Sequence, residues 1–227
     1  TSVYVHLIDA MLRKGKASIL LVPEIALTPQ MIRIFSSYFG DDVAVLHSSL
    51  AVGERFDEWK RIKTGRARVV VGTRSAVFAP CSDLGLIIID EEHETSFKQQ
   101  DPAPRYHARS AAIVLANMYP EAKVLLGTAT PSMESYYNAQ QGKYGLVELK
   151  TRYKDIQLPG IQVVDVKDLR HRKMMTGAYS PQLLAAVREA LKNGEQAILF
   201  QNRRGFAPMI ECKVCGWVPK CKNCDVS

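Results

Sequence analysis

The chain has 227 residues, a formal net charge of +7, 47% hydrophobic residues and 23% charged ones. This balance excludes a wholly disordered chain, a collagen-like repeat and a small disulfide scaffold. No apolar run reaches the roughly 18–20 residues that span a bilayer, and the basic residues near the N-terminus follow the apolar ones instead of preceding them as in a secretory signal. A cytoplasmic protein that makes no use of a membrane is the expectation.

The first two thirds alternate between helical and strand patterns. Val3, Tyr4, Leu7, Ile8, Met11 and Leu12 recur at helical spacing and predict one apolar face. Residues 18–22 (SILLV) read as a buried strand. Thr28 is a suitable N-cap and Pro29 suits the first helical position, so a helix carrying Met31, Ile32, Phe35 and Phe39 follows. Val43–Leu46 predicts a short strand, and a helix from about Ala51 should stop at Gly65. Ala67–Val71, Leu86–Ile89 and Lys123–Leu126 are near-continuous apolar runs, as in a parallel sheet covered on both faces. Between the last two lies a polar stretch with two prolines (ETSFKQQDPAPRY), then a helical one. The polar stretch predicts a long irregular loop, and such loops commonly carry function.

The pattern changes near Gly145. Residues 146–150 (LVELK) and 161–166 (IQVVDV) look strand-like, Ser180-Pro181 opens a helix ending at Gly194, and Ala197–Phe200 predicts a further buried strand. The expected organisation is a first lobe over 1–145, a linker and the start of a second α/β lobe over 146–195, and that lobe's first strand with a cysteine-rich segment over 196–227. Residues 1–145 hold sixteen Lys and Arg against fifteen Asp and Glu, whereas the remainder holds fourteen against eight. A basic C-terminal part suits either a solvated face or contact with a polyanion. Cys81 stands alone. Cys212, Cys215, Cys221 and Cys224 form two CxxC steps, which favour zinc over disulfides in a chain without a secretion signal.

The sharpest chemical pattern is Ile87-Ile88-Ile89-Asp90-Glu91-Glu92-His93. A parallel strand brings its C-terminal end to the crevice where ligands bind in open α/β sheets. In nucleotide hydrolases an acid at that place holds Mg²⁺, and a neighbouring one can orient and deprotonate water. Asp90 suits the metal and Glu91 the water. A strand ending in solvated acids is the alternative. The small, hydroxyl-rich turn Gly127-Thr128-Ala129-Thr130-Pro131 ends the next apolar strand and could sense a phosphate. In the polar loop, Phe97 and Tyr106 could stack on bases, Lys98, Arg105 and Arg109 could meet phosphates, and Gln99 and Gln100 could add neutral hydrogen bonds. Equally, the two aromatics could fold back onto the core.

DEEH followed by GTATPS, and preceded by LLVPEIALTPQ and VVVGTRSAVFAP, resembles the superfamily 2 helicases, in particular the replication-restart helicases. HSSLAVGERFDEWKRIKTG, SFKQQDPAPRYHAR, FQNRRGFAP and the cysteine pattern carry the resemblance over nearly the whole chain. It implies a RecA-like first lobe and an ATP-dependent DNA helicase or translocase acting in replication restart and primosome assembly. Single-stranded and forked DNA, primosome proteins and single-stranded-DNA-binding proteins would be the partners. Asp90 and Glu91 would serve Mg²⁺ and water, His93, Thr128 and Thr130 would couple hydrolysis to DNA, and Thr1 would close the nucleotide-binding loop. Pro23, Glu24, Thr28, Thr73, Arg74 and Ser75 would face single-stranded DNA. Residues 96–106, including Phe97, Lys98, Gln99, Arg105 and Tyr106, would form a loop linking DNA to ATP turnover. Arg203 and Arg204 are candidates for DNA or inter-lobe contacts.

Two departures limit the expectation. A phosphate-cradling G-x-x-x-x-G-K-[ST] segment is absent, and most of the second lobe is missing, so the chain reads as a fragment that alone hydrolyses ATP little or not at all. The spacing C-x2-C-x5-C-x2-C could make one closed zinc site. The resemblance instead implies two zinc ions, both sites incomplete here. The other functional reading of the chain is a non-catalytic, zinc-containing module that binds DNA and protein.

Overall fold

The computed structural model describes residues 2–151 and 159–200. Thr1, Arg203, Arg204 and the four paired cysteines therefore lie outside the described residues. The chain divides into two compact units, Thr1–Glu148 and Leu149–Ser227.

The first unit is built on five parallel strands: β1 (Ala17–Leu21), β2 (Val43–Leu46), β3 (Val69–Gly72), β4 (Leu84–Asp90) and β5 (Lys123–Gly127), in the order β2-β3-β1-β4-β5. Side chains alternate between faces along each strand. Ile19, Leu21, Ala44, Val70, Ile87 and Ile89 enter one core with Ile62 of α3 (Val52–Lys63) and Ala108, Ala112 and Ala116 of α4 (Ala108–Ala116). Leu20, Val43, Val69, Val71, Leu86 and Ile88 enter the other with Val5 and Ile8 of α1 (Ser2–Arg13) and Phe35 of α2 (Pro29–Phe39). Fully burying one such side chain stabilises by about 1.5–3 kcal/mol. The alternation explains why the strands read as continuous apolar runs: both faces are covered. β5, at the sheet edge, is only half-buried.

Local signals act as the sequence implied. The Thr28 hydroxyl caps α2 by accepting the Met31 N–H at 3.2 Å, with Pro29 in the first turn. Gly65 follows α3 with φ +73°, a left-handed conformation that L side chains rarely adopt. Two details differ. Val3 is exposed and Val5 is buried in its place. Cys81 is buried, and burial pushes its thiol up to about 11, which makes it a poor nucleophile.

In the second unit, α6 (Val166–His171) and α7 (Pro181–Lys192) form; a further helix, α5 (Met133–Gln140), belongs to the first unit. The strands expected at 146–150, 161–166 and 197–200 are absent. None of these apolar pieces is paired with a strand among the described residues, and an isolated strand leaves its backbone polar groups unmet. Only the end of 161–166 becomes regular, where a helix cap at Asp165 starts a helix. The Asp165 carboxylate accepts the Lys167 and Asp168 N–H groups at 2.8 and 3.3 Å, and Val166 opens α6. No helix of the described residues is long and apolar enough to cross a membrane.

Candidate active site

The C-terminal ends of the strands carry the polar groups. Asp90 is the last residue of β4, pairs in register with Gly127 at the end of β5, and is half-buried at the rim. Its Oδ1 accepts a hydrogen bond of 2.7 Å from the Tyr4 hydroxyl on the first turn of α1. Burial, and then the Asp90 carboxylate, push the Tyr4 hydroxyl well above its ordinary range, so it stays protonated and donates. Tyr4 lies so close to Gly127 that a Cβ there would overlap its hydroxyl oxygen. A side chain at the end of β5 would have to displace the Tyr4 hydroxyl from its place beside Asp90.

The chain then turns sharply. Glu91 has φ +50°, a backbone conformation that is costly without glycine. It is held by the Glu94 N–H bonding to the Glu91 carbonyl at 2.9 Å and the Glu92 N–H bonding to the Gly127 carbonyl at 3.2 Å. His93 Nδ1 lies 2.8 Å from the Thr128 hydroxyl and 3.6 Å from a Glu91 carboxylate oxygen. The Thr128 hydroxyl also accepts the Thr130 N–H at 3.0 Å. Asp90, Glu91, His93, Thr128 and Thr130 therefore share one short stretch of rim. Both carboxylates reach solvent, and neither lies in an apolar interior.

Glu92 points the other way and is 1% exposed. One oxygen accepts the Ser132 N–H at 2.7 Å; the other meets Arg109 Nη1 at 2.6 Å and the Ser135 and Ser132 hydroxyls at 2.8 and 3.1 Å. Arg109 also donates to both of those hydroxyls. Burial pushes the Glu92 carboxyl up, but these hydrogen bonds and the guanidinium outweigh it and hold the group below its ordinary value of 4.5. His107 caps α4, its Nδ1 accepting the Arg109 N–H at 3.2 Å; burial and then the Arg109 and Lys98 charges hold it below 6.5. Both depressed values have the same sign. Each group's contribution is complete above its ordinary value and is lost as pH falls through its folded one. Denaturant unfolding between about pH 3 and pH 7 should therefore show stability rising with pH, and Glu92→Gln should flatten the most acidic part of the curve.

The residues expected to face DNA are unevenly placed. Pro23 and Thr73 are buried, Glu24, Thr28 and Ser75 are exposed, and a cleft of about 180 Å³ is lined by Glu24, Leu27, His47, Ser48, Ser49 and Thr73 beyond the ends of β1, β2 and β3. Phe97 is 1% exposed and packs in the core, so it offers no stacking face. This corrects the expectation for that residue. Tyr106 is half-buried and edge-on to Phe78, with ring centroids 4.9 Å apart. Arg74 bonds to the carbonyls of Ser96 and Lys98 at 3.0 and 3.3 Å and grips the loop from within. Lys98 Nζ and Gln99 Nε2 close the loop on the Arg105 and Pro102 carbonyls at 2.9 and 2.8 Å. Arg105 is exposed. Arg109, read from sequence as a phosphate contact, is instead engaged by Glu92. Tyr4, Glu92, Ser132, Ser135 and the His47–Ser49 segment were not among the expected site residues.

A protein-family profile described as "DEAD/DEAH box helicase" matches residues 1–139. The chain belongs to this helicase family. Among curated relatives, the "Replication restart protein PriA" of Bacillus subtilis (strain 168) is 47% identical over the whole of this chain, and that of Haemophilus influenzae is 44% identical over 99% of it. The chain spans only 28% and 30% of those two relatives. Among solved structures, "Structure of RecG bound to three-way DNA junction" covers 63% of this chain and 18% of that one at 24% identity with a TM-score of 0.44, too distant a likeness to carry an argument.

The Tyr4–Gly127 contact gives a test on the helicase fold itself. Gly127→Ala should destabilise by about 1–3 kcal/mol through overpacking. Adding Tyr4→Phe removes the overlapping oxygen, so the double variant should unfold at higher denaturant than Gly127→Ala alone. Equal midpoints would separate the glycine from the tyrosine.

Proposed function

We propose that this chain supplies the nucleotide- and DNA-facing part of an ATP-dependent DNA helicase or translocase that acts in replication restart and primosome assembly. The observation that carries the reading is the shared rim: Asp90 and Glu91 at the end of β4, joined through His93 to the Thr128 turn at the end of β5. Family membership and full-chain likeness to replication-restart proteins support it. They favour it over a non-catalytic module.

Asp90 fits Mg²⁺ as a hard oxygen donor at a half-exposed position, and a divalent cation there would offset phosphate charge. Glu91 orients water and accepts its proton. Thr1 would reach the nucleotide. His93 links the acid to Thr128, and Thr130 steadies that hydroxyl, so the turn is placed to respond to a phosphate. The cleft by Glu24 and Thr73, with Thr28, Ser75, Lys98, Gln99, Arg105 and Tyr106, would meet single-stranded or forked DNA; Pro23 and Arg74 shape that surface from beneath. Arg203 and Arg204 would add contacts. Cys212, Cys215, Cys221 and Cys224 would hold zinc as thiolates. Primosome and single-stranded-DNA-binding proteins would be the protein partners, in the cytoplasm.

The test is ATP hydrolysis by the full-length protein with and without single-stranded DNA. DNA-stimulated hydrolysis is expected. A protein that hydrolyses no ATP in either condition overturns the reading.

A further inference from the structure

The Glu92–Arg109 pair is used by none of the roles above, yet it is the best-connected polar group described in the first unit. Arg109 sits on the first turn of α4, Glu92 on the turn leaving β4, and Ser132 and Ser135 at the start of α5 after β5. One guanidinium nitrogen meets all three. Both Glu92 oxygens are used, and each seryl hydroxyl accepts from Arg109 while donating to Glu92.

The position matters because of what flanks it. Glu92 directly follows Glu91, whose φ of +50° must be enforced by its surroundings. Ser132 lies two residues after Thr130 and four after Thr128. The pair therefore clamps the acid-bearing turn and the hydroxyl-bearing turn to one helix, with the Glu92 N–H to Gly127 carbonyl bond as the second tie. Without the clamp, the turns would keep the backbone tie at Gly127 and the exposed His93–Thr128 contact, but no buried side-chain link.

We infer that Arg109 is a positioning residue for hydrolysis: through Glu92 and Ser132 it fixes the orientation of Glu91 relative to the Thr128 turn. Its Nη1 is taken up by Glu92, Ser132 and Ser135. The inference rests on the hydrolytic reading of that rim. Arg109→Gln should therefore lower kcat and leave KM for ATP nearly unaltered, since an orientation used only at the reacting step is lost. The expected loss is about 10–100-fold, the range seen when a supporting partner of a working residue is removed. Arg109→Lys keeps the charge beside Glu92 but not the reach to both hydroxyls, so its kcat should lie between Gln and wild type.

The decisive arm uses the full-length protein carrying Glu92→Leu with Arg109→Leu. The apolar pair removes the unpaired buried charge without restoring the hydrogen bonds to Ser132. A double variant that is folded at the assay temperature with a kcat still lowered about 10-fold or more supports positioning. A double variant folded at that temperature with wild-type kcat reduces the pair to a structural role and overturns the inference. Should Arg109→Gln fail to fold, Arg109→Lys and the double variant give the same reading. Wild-type protein without ATP hydrolysis overturns the functional reading and this inference with it, whereas active wild type with an unaffected double variant overturns the inference alone.

Discussion

Glu91→Gln in the full-length protein should bind ATP nearly as wild type does and turn it over ~10²–10⁴-fold more slowly. Glutamine keeps the size and hydrogen-bonding shape but cannot take a proton. The strained backbone at this position is preserved too, because the Glu94 and Glu92 N–H bonds that hold the turn do not involve the side chain. The loss should therefore fall on kcat, with KM little moved. Single-turnover hydrolysis measures the step directly. A rate within about three-fold of wild type would remove Glu91 from the chemistry.

Arg109→Ala should destabilise the first unit by about 3–5 kcal/mol, because it leaves a carboxylate buried without its counter-charge. Glu92 is 1% exposed, so water cannot replace the guanidinium. Glu92→Gln should cost less, since the amide oxygen still accepts the Ser132 N–H. Replacing both partners with leucine should recover part of the loss, since the Ser132 N–H and the two seryl hydroxyls still lack their acceptor. The check is a double-mutant cycle by denaturant unfolding. A near-zero coupling between the two positions would show that Ser132 and Ser135 satisfy Glu92 unaided.

Much of the fold was readable because its signals are local. The apolar runs of β1, β3 and β4, the Thr28-Pro29 cap and Gly65 each specify their own surroundings. The failures at 146–150, 161–166 and 197–200 have a common cause. A strand is stabilised by its neighbour, and an apolar pentapeptide contains no information about whether a neighbour exists. At 165–166 the Asp165 cap turns the chain into a helix instead.

The site divides in the same way. The place of Asp90 and Glu91 at a strand's C-terminal end was legible because a β-branched strand ran straight into them. Phe97 was misread because a loop aromatic looks alike whether it faces solvent or core, and the core face won. Arg109 was misread for the matching reason, since a guanidinium serves a buried acid as readily as a phosphate, and Arg74 spends one nitrogen on two loop carbonyls. Glu92 was passed over beside two more suggestive acids. Its signal was present in Ser132 and Ser135, a seryl pair at helix-start spacing after GTATP, but only the fold brings that pair to Glu92.

The most direct test is a structure of the full-length protein with Mg²⁺ and a non-hydrolysable ATP analogue. The account predicts the cation within direct or water-mediated reach of Asp90, and the Glu91 carboxylate facing a water beside the terminal phosphate, with the Thr128 turn alongside. A nucleotide bound elsewhere, with Asp90 and Glu91 remote from both cation and phosphate, would contradict it.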